Sequence, residues 1–231
     1  MKYSYYYNQV PGQGPQRNNL IYTSLMSDDQ KTFVQWYHND TEYHNGQNEI
    51  VDPELMEEKW RRELNYLTHM RNNFPDLVPK IIKIDFDHKK IFLEVDGPDF
   101  WNSANCDIAN YDSVLPDWRE QILTILKAHK QLGLYKFSLH PSSYFIVDGK
   151  LKSINYFFCY REDEGPISIA DHSSHIHSNR QKIMREQIEK LGLSWNKPES
   201  LNSLQHLCFD SFKTNYPLDF IEDMKKVYPK S

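Results

Sequence analysis

The order of apolar patterns along the chain predicts an α+β fold in two lobes. Two observations carry it. Five strand-like runs precede residue 97, with one helical run inserted after the third, and the rest reads as helices around a single hairpin. The 231 residues suit one bilobal domain, with residues 1–97 as the first lobe, residues 98–231 as the second and a boundary near Asp96–Asp99.

Tyr3–Asn8 is aromatic-rich and reads as a strand, followed by a turn at Pro11-Gly12-Gln13-Gly14-Pro15. Leu20–Leu25 and Thr32–Tyr37 follow as strands around the polar turn Ser27-Asp28-Asp29-Gln30, and Asn39–Asn48 reads as a loop. Asp52-Pro53 supplies an acidic cap with proline at the first helical position. Met56, Trp60, Leu64, Leu67 and Arg71 then mark a helical face, which Phe74-Pro75-Asp76 ends. Val78–Asp85 and Lys90–Val95 are the fourth and fifth strands.

Past Asp96-Gly97-Pro98 the periodicity changes. Trp118, Ile122, Ile125, His129 and Leu132 share one face of a helix opened by Pro116-Asp117 and closed by Gly133. Tyr144–Val147, Asp148-Gly149 and Lys150–Ile154 form the pattern of a tight hairpin, since Asp-Gly accepts the left-handed conformations that such a turn requires. Three further helices are marked by Ile183, Ile188 and Leu191, by Leu201, Leu204, Cys208 and Phe212, and by Leu218, Ile221, Met224 and Val227.

Composition narrows the function. Hydrophobic residues make up 39% and aromatic residues 14% of the chain, which is enough for a core and unlike a disordered chain. A mean hydropathy of -0.74 and no apolar run near twenty residues exclude a helical membrane span. Met1–Tyr7 lacks the pattern of a signal peptide, so a cytoplasmic protein is expected. The net charge of -5, with no Lys/Arg block, speaks against general nucleic-acid binding. Lys59, Arg61 and Arg62 stand among Glu57, Glu58 and Glu63 and read as a solvated face with internal ion pairs. Cys106, Cys159 and Cys208 are expected as reduced thiols. Only four alanines occur, while Asn, Tyr, Lys and Ile abound, which points to an AT-rich gene such as those of many phages.

Asp171-His172-Ser173-Ser174-His175-Ile176-His177 is the densest run of metal-ligand types; Asp171, His172, His175 and His177 could bind zinc, against the plain reading of a polar loop.

One stretch carries a resemblance. Ser138-Leu139-His140-Pro141-Ser142-Ser143-Tyr144-Phe145 has the layout of the catalytic loop of the protein-kinase-like superfamily, including the small bacterial and phage relatives of aminoglycoside phosphotransferases. Lys152-Ser153-Ile154-Asn155-Tyr156-Phe157 resembles the strand that ends in that family's metal-binding Asp-Phe-Gly. Glu58–Leu67 resembles its regulatory helix, with Glu63 at the ion-pairing position, and Glu94-Val95-Asp96-Gly97 resembles the hinge that holds adenine. The resemblance covers most of Tyr3 to about Tyr160 and implies a five-stranded antiparallel first lobe with one helix and a short helical second lobe.

It also implies what has been lost. The base carboxylate falls on Ser138, the metal-binding amide on Ser143 and the main metal carboxylate on Asn155. Neutral side chains there are poor ligands for Mg²⁺, and a serine hydroxyl is no general base. The phosphate-gripping lysine falls on Gln35 or Trp36, of which the bulkier Trp36 is expected to point inward. The glycine-rich loop keeps Gly12 and Gly14 but reads Arg17 for its third glycine, and Pro15 removes an N–H. The expectation is a pseudokinase with a vestigial nucleotide cleft at Gly12, Gly14, Glu94, Val95 and Asp96. It would need no cofactor and bind no ATP, and it would act on a partner protein, of a host cell if the gene is viral. Two other readings stand beside it: a phosphotransferase or nucleotidyltransferase with displaced acids at Asp148, Asp163 or Asp171, and a metal-dependent protein built on the histidine run.

Overall fold

The computed structural model describes residues 2–8, 16–17, 22–38, 53–164 and 198–229. The Gly12/Gly14 turn, the 39–48 loop, the helix expected around Ile183–Leu191 and the Asp171–His177 run lie outside them. The chain is α+β and divides into two compact units, residues 1–118 with 141–157, and residues 119–140 with 158–231.

The first unit is built on β1 (Tyr3–Tyr5), β4 (Thr23–Ser27), β5 (Thr32–Trp36), β6 (Ile81–Asp85) and β7 (Lys90–Glu94). They form one antiparallel sheet in the order β1-β4-β5-β7-β6. A small ribbon of β2 (Tyr7–Asn8) and β3 (Gln16–Arg17) stands apart from it. Between β5 and β6 runs α1 (Pro53–Asn73). Its buried positions are Met56, Lys59, Trp60, Glu63, Tyr66, Leu67 and Met70, a continuous stripe at helical spacing.

That stripe corrects the sequence reading in two ways. Leu64 and Arg71 are only half-buried, and Lys59 is fully buried instead of lying on a solvated face. Burial pushes the Lys59 ammonium down to about 7. Arg61 and Arg62 do form the expected ion pairs one turn back, with Glu57 at 3.2 Å and Glu58 at 2.8 Å.

The hairpin of β9 (Tyr144–Val147) and β10 (Lys150–Ser153) belongs to the same unit. Val147 pairs with Lys150, and Asp148 and Gly149 take φ of 51° and 71°, the double left-handed turn that Asp-Gly favours.

Beyond Asp96, Asp99 caps α2 (Phe100–Ser103) by accepting from the Asn102 N–H at 2.9 Å. Its other oxygen accepts from Tyr6 Oη and Asn102 Nδ2, each at 2.9 Å. Asp99 is fully buried, and desolvation, the largest effect, raises its carboxyl to about 6. Because this folded-state value lies above the unfolded 3.8, the folded form holds the proton more tightly, and stability falls as pH rises between the two values. At about 1.4 kcal/mol per pH unit, ~3 kcal/mol should be lost between pH ~4 and ~6. Asp99→Asn should remove this component, so that wild-type and variant unfolding free energies converge toward low pH. Parallel curves over that range would refute the assignment. A short α3 (Tyr111–Val114) follows and packs Tyr111 against Phe100, with 4.6 Å between ring centroids.

The second unit holds all but the first residue of α4 (Trp118–Gln131), then β8 (Leu134–Lys136) paired antiparallel with β11 (Cys159–Arg161). Next come α5 (Pro198–Ser211) and α6 (Leu218–Val227). Ile122, Ile125, Leu126, Leu204, Cys208, Phe209, Phe220 and Met224 form its core. Cys159 and Cys208 are buried and Cys106, in the first unit, is half-buried; all three are free thiols. No helix among the described residues is long and apolar enough to cross a membrane.

Candidate functional site

Helical spacing on α1 aims Glu63 into the interior of the first unit, where it is fully buried. Its carboxylate accepts from the backbone N–H of Asn155 at 3.1 Å and of Phe157 at 2.9 Å, and from Tyr37 Oη at 3.3 Å. Burial, with the Glu63 charge as the next cause, holds the Tyr37 hydroxyl far above its ordinary ionisation range, so it remains a donor.

Asn155 is the centre of the arrangement. Its φ of +68° is a left-handed conformation that asparagine tolerates better than most residues. The side chain is 3% exposed and bonded to neutral partners. Oδ1 accepts from Tyr22 Oη at 2.6 Å and Gln35 Nε2 at 3.2 Å, and Nδ2 donates to Ser143 Oγ at 2.8 Å. Burial keeps the Tyr22 phenol protonated at any ordinary pH. Gln35, Glu63, Ser143 and Asn155, four positions singled out from sequence, are thus brought into one hydrogen-bonded network.

The strand places Gln35 inward and Trp36 outward, which overturns the expectation for Trp36. Gln35 is fully buried on the side of Asn155. Trp36 is half-buried, lies 4.2 Å from the His38 ring and carries Lys90 Nζ 4.3 Å above its face. A tryptophan can lie against a long lysine stem at the sheet surface; the smaller amide fits beside Asn155.

The bulk that Trp36 does not supply comes from its neighbours. Phe33 and Tyr37 flank Gln35 at the alternating positions of the strand. Phe33 packs on Phe145 at 4.8 Å, and Tyr22 lies 5.3 Å from Tyr37 and 6.1 Å from Phe157. Phe33, Phe145, Tyr22 and Tyr37 are each at most 2% exposed. Sequence reasoning missed these rings, although the period-two pattern around Gln35 was there to be read.

The segment Glu94-Val95-Asp96-Gly97 is bonded to its own sheet. Glu94 N donates to Lys80 O at 2.9 Å, Val95 N to Lys31 O at 3.0 Å, and Gly97 N to Gln30 O at 3.0 Å. The Asp96 carboxylate pairs with Lys31. These backbone donors are therefore already used.

Ser138 belongs to the second unit, in a run whose carbonyls are all occupied by side chains. Gln205 Nε2 donates to Lys136 O at 3.0 Å, Cys208 Sγ to Phe137 O at 3.3 Å and Tyr216 Oη to Leu139 O at 2.7 Å. Lys136 Nζ donates to Ser138 O. Asn215 Nδ2 stands 3.1 Å from His140 Nε2. The segment is held by α5 and the turn after it.

Among the described residues no group of three or more His, Cys, Asp and Glu side chains is gathered as a metal site. Gly12, Gly14, Asp171, His172, His175 and His177 fall outside those residues. No protein-family model and no curated protein matches the chain.

Proposed function

We propose that the chain is a catalytically inactive kinase-like domain, a pseudokinase, that works by binding another macromolecule. The observation that carries this reading is the bonding of Asn155 and Glu63. Where phosphoryl transfer needs a metal-binding carboxylate and a lysine–glutamate pair, there is a neutral amide held by Tyr22, Gln35 and Ser143. Glu63 holds the backbone of Asn155 and Phe157. The five-stranded sheet with a helix between its third and fourth strands, and the Asp148-Gly149 hairpin, support the kinase-like part of the reading. The ring packing of Phe33 on Phe145 beside Gln35 supports the loss of nucleotide binding.

A thermal-shift titration tests it. A ligand at 100 times its Kd adds about 2.7 kcal/mol of stability. Millimolar ATP with Mg²⁺ or Mn²⁺ should leave the melting temperature unchanged, and radiolabelled ATP should give no transfer above background. A nucleotide-dependent rise that Gln35→Ala or Phe33→Ala abolishes would overturn the reading.

A further inference from the structure

We propose that the outer edge of β6 is a docking edge for an extended peptide segment of a partner protein, one that alternates apolar and acidic residues and adds to the sheet as a further strand. This inference does not depend on the kinase-like reading. In the order β1-β4-β5-β7-β6, β6 is paired on one side only among the described residues, with β7. The backbone groups of an edge strand that point away from its neighbour are a template for another chain. Two of the four exposed large apolar side chains among the described residues lie here, Ile82 on the strand at 51% and Phe86 just beyond its end at 65%, the latter with its ring 6.3 Å from that of Trp60. The register passes from Ile81↔Leu93 to Lys83↔Phe92, so Ile82 is the extra residue of a bulge.

Charge selects the occupant. The chain as a whole is acidic at -5, but residues 80–90 hold Lys80, Lys83, Lys89 and Lys90 against Asp85 and Asp87. Asp85 faces the His88 ring at 3.1 Å, Lys89 is tied to Glu57 at 3.1 Å and Lys80 stands 3.8 Å from Glu94, which leaves Lys83 to meet the occupant. Lys83, in the middle of the strand, makes no salt bridge among the described residues, and its ammonium lies 5.5 Å from the Phe92 ring centre. A second copy pairing antiparallel with this edge about its centre would bring Lys83 against Lys83, which is unfavourable. An acidic segment meets the same lysine with opposite charge.

The test pans the full chain against a displayed library of random decapeptides, then measures a synthetic copy of the most enriched peptide by fluorescence anisotropy. Enriched peptides should alternate apolar and acidic residues. Lys83→Glu and the double variant Ile82→Ser/Phe86→Ser should each weaken binding by about tenfold or more, as loss of central contacts does. Circular dichroism should show both variants folded, because all three side chains are exposed. On the wild-type chain, the peptide should slow amide exchange across Lys83–Asp85, a readout that needs no variant. No enrichment, basic peptides, unchanged affinity in folded variants or unprotected amides would each overturn the proposal. A concentration-dependent dimer that the double variant abolishes would overturn it too, in favour of a second copy.

Discussion

Glu63→Gln should destabilise the folded chain by about 3 kcal/mol, measured by urea unfolding. The carboxylate presents oxygen to three donors, the N–H groups of Asn155 and Phe157 and the Tyr37 hydroxyl. Glutamine has one acceptor and one donor end, so whichever way its amide turns, an NH₂ faces a buried donor. Bonds to a charged group contribute about 1.5–3 kcal/mol and a stranded buried donor costs about 1–3 kcal/mol, partly offset because a buried charge is removed. Glu63→Ala, which removes both oxygens, should cost more, about 4 kcal/mol. A glutamate whose task was to orient a catalytic lysine would show the reverse pattern, with activity lost and stability little changed. A loss under about 1 kcal/mol for Glu63→Gln would show that the backbone bonds to Glu63 do not hold the site together.

Asn155→Asp, the substitution that puts a carboxylate where the kinase-like reading expects a metal ligand, should destabilise by about 3 kcal/mol near pH 8. The hydrogen bonds could adjust, because Ser143 Oγ can turn from acceptor to donor. The charge could not. The new carboxylate would be buried on the residue whose backbone N–H already donates to Glu63 Oε1 at 3.1 Å. Two carboxylates in one dry site favour a protonated form, which raises the folded-state pKa of the introduced aspartate above its unfolded value. The penalty is then absent below the unfolded pKa and complete above the folded one, so the deficit should shrink as pH falls toward 4. Added Mg²⁺, with or without ATP, should not restore the lost stability. A rescue by Mg²⁺ would mean that the site accepts a metal. Asn155→Ala is no silent control either, since it removes three side-chain hydrogen bonds and puts alanine at a φ of +68°.

Much of this was legible in the sequence, for physical reasons that differ between elements. The hairpin was, because Asp148-Gly149 encodes its own backbone conformation. The helix α1 was, and Met56, Trp60 and Leu67 face inward as expected, but the rest of its inward face was misread. A reading by helical spacing chose Leu64 and Arg71, whereas the buried stripe includes Lys59 and Glu63. Charged residues face a core only when distant partners meet them, and the donors to Glu63 lie some ninety residues away at Asn155 and Phe157. The resemblance to the kinase-like superfamily singled out Gln35, Ser143 and Asn155; it carried no information that they bond to one another. The choice between Gln35 and Trp36 turned on His38 and Lys90, which offered the indole a place at the surface. The pair β8 and β11 was missed because three-residue strands leave no period to detect.

The first unit is discontinuous in sequence, and this bears on how the chain is made. Residues 1–118 leave the ribosome well before Pro141–Phe157, the segment that completes the same unit. Until that segment emerges, Glu63 has no backbone amides from Asn155 and Phe157 to hold, Gln35 and Tyr22 have no Asn155, and Phe33 has no Phe145 to pack against. The nascent sheet must therefore wait, with its polar and aromatic inner surface unsatisfied, in the window in which chaperones act. A fragment cut at Gly97 would be left permanently without these contacts, so the sheet alone should be less stable than the sheet with the hairpin that follows it.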